Sequence, residues 1–229
     1  MIHRFALSST VLYALTVVVL IVAGCSPASP VPAQSEHQVP PEGGSVQSAE
    51  TQTVELPPPT DNLSVELVAD GSQVDPFANP ENKAVVLIFV CTDCPVANRY
   101  APELRRLAEK FGERGAMFYL VYADPAESSD AIRQHLSDYQ HQTPALRDPE
   151  HLLVKFCGVT RTPEAALFSP GHIRCYRGRI DDQFTDYGKS REVASQHDLE
   201  EAIEAVLNGK SVAVPVTEAV GCYIPGVTE

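Results

Sequence analysis

The chain has 229 residues, 44% of them hydrophobic, enough for one ordinary domain with extensions. With 30 acidic against 17 basic residues it carries a formal charge of −13, which argues against nucleic acid or an anionic membrane surface as a partner. Six cysteines without a zinc-ligand pattern point to export or to redox work.

His3 and Arg4 form a short positive start, and residues 11–23 are almost entirely apolar. The run closes in small residues, so 1–24 reads as a signal peptide. Val22-Ala23-Gly24-Cys25 resembles the bacterial lipobox, in which the cysteine is lipidated and becomes the first residue after cleavage. That resemblance implies a chain anchored to a membrane by lipid on Cys25, facing the periplasm or the cell exterior. A simple signal peptide or an uncleaved anchor is the alternative. Residues 25–60 hold many Pro, Ser, Gln and Glu, hold no Lys or Arg, and close on Pro57-Pro58-Pro59. Such a composition cannot bury enough surface to offset its ordering entropy, so a disordered tether is expected.

The folded domain is expected over 61–229. Leu63 to Ala69 alternates loosely and predicts an edge strand, ended by Asp70-Gly71. Val85 to Val90 is a continuous apolar run, the mark of a strand buried on both faces. It leads into Cys91-Thr92-Asp93-Cys94-Pro95, and then Val96, Tyr100, Leu104, Leu107 and Phe111 recur at helical spacing. Pro102 should kink or split that helix. Ala116 to Ala123 predicts a second buried strand, and Ser128 or Ser129 caps a helix with Ile132, His135, Leu136 and Tyr139 on one face. A short strand at 143–147 precedes a helix that Asp148-Pro149 should start and Gly158 end. Thr162 to Phe168 and Ile173 to Arg177 predict a hairpin. The last helix should start in a capping box of Asp198 and Glu201 and stop at Gly209. The tail from Lys210 onward shows no clear pattern.

This order of elements, with a dithiol after the first buried strand and Thr162-Pro163 ahead of a hairpin, resembles the thioredoxin fold over about 61–209. More closely it resembles the redoxin group, the AhpC/TSA-related thiol–disulfide oxidoreductases. The resemblance implies an α/β domain whose central mixed sheet is flanked by helices, with a strand-helix insertion between its βαβ and ββα halves. It implies catalysis by Cys91 as nucleophile and Cys94 as the more buried resolving thiol. It also implies a cis Thr162–Pro163 bond, with the backbone of Thr162 open to an incoming substrate chain. The partners expected are exported thiol or disulfide proteins and an unnamed electron donor, with no nucleic acid and no cofactor.

A strand end, two thiols and a helix N-terminus favour a thiolate on physical grounds, because the unpaired N–H groups and helix dipole stabilise negative charge. Asp93 between the cysteines works against it. Glu164 is expected to be solvated, with proton acceptor as the alternative. Of the remaining cysteines, Cys157 and Cys175 lie in apolar contexts and are expected as packed thiols, whereas Cys222 near the chain end is the candidate third redox thiol or structural bridge. Departures from the family pattern keep two other readings in view. The chain has no tryptophan and no acid in the strand at 85–90, and it lacks Pro-x-x-x-Thr-x-x-Cys. A peroxiredoxin-like reduction of hydroperoxides is one alternative. A module holding copper or a partner is the other, with His172 as its only distal ligand candidate.

Overall fold

The computed structural model describes residues 63–227. The signal segment, Cys25 and the whole 25–60 tether, all expectations of the sequence, lie outside the described residues. In chain order the elements are β1 (Val65–Leu67), β2 (Gln73–Val74), β3 (Ala84–Val90), α1 (Pro95–Arg99), α2 (Ala101–Gly112), β4 (Ala116–Tyr122), α3 (Ser129–Asp138), β5 (Ala145–Arg147), α4 (Leu152–Cys157), β6 (Arg161–Thr162), β7 (Glu164–Ser169), β8 (Ile173–Gly178), β9 (Phe184–Asp186), β10 (Lys189–Ser190), α5 (Asp198–Leu207) and β11 (Cys222–Tyr223). Seven strands form one mixed sheet in the order β2-β1-β5-β4-β3-β7-β8. β3 is central, parallel to β4 and antiparallel to β7. The expected thioredoxin-like α/β architecture is present, with β5 and α4 as the insertion between its halves.

All seven residues of β3 are buried. Side chains alternate across a strand. Ala84, Val86, Ile88 and Val90 therefore enter one core layer, with α2, α5 and Ile132 of α3. Val85, Leu87 and Phe89 enter the other, with α4 and β1. Burying each large side chain is worth about 1.5–3 kcal/mol, so both helical layers are fastened to the same strand. The carboxyl end of β3 is thereby fixed in space, and the dithiol hangs from it.

Pro102 divides the first helix as expected. It has no N–H to offer and crowds the preceding turn, so the chain breaks at Tyr100 and Pro102 enters the first turn of α2. The buried Tyr100 hydroxyl then donates to the Asp181 carboxylate, joining this break to the segment after β8.

Four local expectations are corrected. β1 is not the sheet edge, because β2 pairs outside it. Asp148 caps α4 from a distance: His151 takes a left-handed conformation, and the Asp148 carboxylate accepts from the N–H groups of Leu152, Leu153 and Val154 at 2.7, 2.9 and 3.1 Å. No capping box forms at α5, where Asp198 instead pairs with Arg179 at 2.7 Å. The tail is ordered by its neighbours. Arg177 N–H donates to Pro215 O at 2.9 Å, and Thr217 N–H donates to Arg177 O at 3.0 Å. Gly178, at φ +148°, lies so close to Thr217 that a Cβ would overlap it. The tail then crosses the domain and ends as β11, antiparallel to β6. Among the described residues no helix is long and apolar enough to cross a membrane.

Candidate functional site

Cys91 is the first residue beyond β3. Thr92 and Asp93 make the turn, and Cys94 caps α1, its sulfur accepting from Ala97 N–H at 3.4 Å. Pro95 occupies the first helical position, where its missing N–H costs nothing. Cys91 is 8% exposed and Cys94 is fully buried, the order that an attacking and a resolving thiol require.

The Thr162–Pro163 bond is cis, as the resemblance implied. Thr162 meets both sulfurs. Its hydroxyl lies 3.2 Å from Cys91 Sγ, and its carbonyl oxygen is 3.1 Å from Cys94 Sγ, which as a thiol donates to it. Thr162, which leads into the strand beside β3, is therefore joined to the dithiol by a contact that only folding makes.

Cys222 belongs to the same cluster. Its partner across the β6–β11 ladder is Thr162, so the two side chains stand on the same face. The Cys94 sulfur is within hydrogen-bond reach of both the Cys91 and the Cys222 thiols. Those two contacts and the Ala97 N–H lower the Cys94 thiol to about 4. The proton that Cys91 shares with Cys94, together with burial, pushes Cys91 well above the usual thiol range. Burial first, and the hydrogen bond with Cys94 second, push Cys222 up to about 12. The cluster thus favours negative charge on the central sulfur over the two flanking ones.

A carboxylate missing from strand 85–90 is supplied from elsewhere. Glu127, in the loop after β4, is 8% exposed and accepts from Thr92 N–H at 2.6 Å. Its other oxygen is buried with no hydrogen-bond partner. Desolvation raises its pKa above 4.5. On the other side of the turn Asn98 Nδ2 donates to Thr92 O at 3.1 Å. His135 links Asn98 Oδ1 to the Tyr122 hydroxyl, both at 2.8 Å. Burial lowers the His135 pKa, so the imidazole is neutral around pH 7. The Cys-x-x-Cys turn is thus clamped from two elements. The sequence placed His135 on the inner face of α3 but gave no signal for Glu127 or Asn98.

Glu164 is buried rather than solvated. One oxygen accepts from Thr160 and Arg161 N–H at 2.9 and 3.2 Å, and the other lies 3.7 Å from Arg177 Nε. One of its oxygens is thus committed to the loop ahead of the cis bond. Cys157 is fully buried and its thiol pushed up by that burial. Cys175 is half-buried, donating to Ile173 O at 3.4 Å, so both remain packing residues. His172 sits at the β7–β8 turn against Phe77, whereas the dithiol lies at the opposite end of the seven-residue β3. About 20 Å of strand separates them. The copper reading loses the one distal ligand it could name.

Comparison with known proteins agrees with this architecture. The model of the AhpC/TSA family matches residues 60–178. The chain belongs to the AhpC/TSA family. Two solved structures resemble this family member over most of their length. An uncharacterized conserved protein from Geobacillus kaustophilus is 23% identical, covering 76% of this chain and 92% of its own, with a TM-score of 0.65. A hypothetical protein from Sinorhizobium meliloti is 21% identical, covering 77% and 97%, also at 0.65. A secreted Mycobacterium tuberculosis disulfide oxidoreductase homologous to E. coli DsbE is 19% identical over 62% of this chain and 94% of its own, at 0.46. No curated protein matches the chain.

Proposed function

We propose that this AhpC/TSA family member is a thiol–disulfide oxidoreductase that exchanges disulfides with exported proteins through Cys91 and Cys94. The observation that carries this reading is the convergence of both sulfurs on the two oxygens of Thr162, beside cis Pro163. The two oxygens suit the two thiols unequally. When the shared proton moves from Cys91 to Cys94, the Cys94 thiol donates a hydrogen bond to the Thr162 carbonyl and the Thr162 hydroxyl turns to donate to the Cys91 thiolate. The more exposed sulfur is then the charged one. It attacks a substrate disulfide, releases one substrate thiolate, and is itself released when Cys94 attacks the mixed disulfide. Glu127 holds the turn and sets the charge environment beneath it.

The reading places the domain outside the cytoplasm, tethered through lipid on Cys25. The supporting observation is the lipobox-like Val22-Ala23-Gly24-Cys25 at the end of the apolar run. Labelled fatty acid should enter the wild type and not Cys25→Ser.

Trapping tests the activity. Cys94→Ser should accumulate mixed disulfides with exported proteins through Cys91, visible as reducible adducts that Cys91→Ser lacks. Absence of adducts from Cys94→Ser would sink the proposal. Hydroperoxide consumption that survives loss of Cys94 would support the peroxidase reading instead.

A further inference from the structure

The tail strand β11 occupies the place where a substrate backbone would pair with Thr162. Cys222 lies directly across the ladder from Thr162. Gly221 is seated so tightly that a Cβ would overlap the Thr162 carbonyl. Beyond it, Ile224 N–H donates to Thr160 O at 2.9 Å, and the Ile224 side chain is buried. The strand is thus held at both ends with its thiol turned to the dithiol. On its outer side, Cys222 lines a cleft of about 780 Å³ shared with Arg161, Arg179, Phe184, Tyr187 and Tyr223. Cys222 is half-buried where Cys91 and Cys94 are buried, so it is the most exposed member of the cluster that meets the inner sulfur.

We propose that Cys222 is a third redox-active thiol, carried by the tail in the substrate position, that exchanges with the Cys91–Cys94 disulfide and passes its oxidising equivalent to the outer cleft. The proposal rests on the dithiol reading above. In the step, the Cys222 thiolate attacks Cys94 Sγ of the Cys91–Cys94 disulfide. The Cys94–Cys222 bond forms and the Cys91–Cys94 bond breaks. Cys91 leaves as a thiolate and takes up the proton that Cys222 gave up. No electrons enter or leave the protein, so no further oxidant is needed. An external protein thiolate arriving in the cleft can then attack Cys222 Sγ, which forms a mixed disulfide on Cys222, breaks the Cys94–Cys222 bond and releases Cys94 as the thiolate. While the Cys94–Cys222 bond stands, β11 is locked over Thr162 and shuts out a second substrate chain.

The test uses the full-length protein equilibrated in graded reduced and oxidised glutathione, quenched in acid, alkylated with N-ethylmaleimide and mapped by mass spectrometry. The wild type should yield a Cys94–Cys222 peptide that rises with the Cys91–Cys94 peptide as the buffer becomes more oxidising. In Cys91→Ser, Cys94–Cys222 should be the disulfide that forms within the cluster. Gly221→Ala, which unseats the strand, should lower the Cys94–Cys222 share about tenfold or more and leave Cys91–Cys94 in place, because the effective concentration of the third thiol is lost. If Cys222 stays fully alkylated at every poise in both the wild type and Cys91→Ser while Cys91–Cys94 forms normally, the relay is overturned and the dithiol reading stands. If Cys222→Ser never forms Cys91–Cys94, the dithiol reading falls and takes the relay with it.

Discussion

Thr162→Val removes one oxygen from the site and little else. Valine keeps the β-branched shape and strand preference of threonine, and the Thr162 backbone carbonyl that faces Cys94 is untouched. What is lost is the hydroxyl 3.2 Å from Cys91 Sγ, the one contact there that lowers the Cys91 pKa. A hydrogen bond to a charged group is worth about 1.5–3 kcal/mol net, and sulfur as a diffuse acceptor belongs at the low end. About 1.4 kcal/mol is tenfold in an equilibrium constant, so the Cys91 thiolate population at neutral pH should fall about tenfold. The clean assay is the rate of iodoacetamide alkylation of Cys91 against pH, in a background carrying Cys94→Ser and Cys222→Ser so that one cluster thiol remains. The valine variant should react about tenfold more slowly near pH 7 and reach the same plateau at high pH. Equal rates, or faster alkylation in the valine variant, would show that the hydroxyl does not stabilise the attacking sulfur.

Further outcomes follow from the same geometry. Asp148→Ala leaves three N–H groups of α4 without their acceptor, two of them buried; it should cost about 2 kcal/mol, read as a lower urea midpoint at unchanged slope. Glu127 has a folded-state pKa raised by burial above 4.5, so the stability it contributes is present below the unfolded value and is lost as pH rises through the folded one. Relative to Glu127→Gln, the wild type should therefore lose stability as pH rises above the unfolded carboxylate value of 4.5, and a flat or opposite difference in urea midpoints would refute the buried-carboxylate account. Phe111→Ala should cost about 3–5 kcal/mol, since this fully buried ring joins α2 to the core layer beneath the dithiol.

Much of the architecture was legible in the residues because it depends on local pattern. A short apolar run rich in β-branched residues and bounded by polar ones suits a strand covered on both faces, so β3 and its interior place were readable from Val85 to Val90. The proline in α2 and the Ser128 cap are likewise decided within a turn of chain. The Asp148 cap was half legible: the residue was right, but the left-handed His151 that lets its carboxylate reach three N–H groups has no sequence signature. Asp198 was misread because a short-range capping pattern lost to an arginine 19 residues away in sequence.

The dithiol itself was fixed by sequence, since two thiols at that spacing after a buried strand meet in one turn whatever surrounds them. Its surroundings were decided only by tertiary contact. Glu127 reaches Thr92 across 35 residues, and Thr162 reaches Cys91 across 71. Cys222 arrives from a tail without periodicity because Gly178 and Gly221 admit backbone where any side chain would stand. A sequence carries the chemistry of its reactive groups in their identity and spacing. Which distant groups share their protons depends on loop closure and close packing, and these are resolved only when the chain is folded.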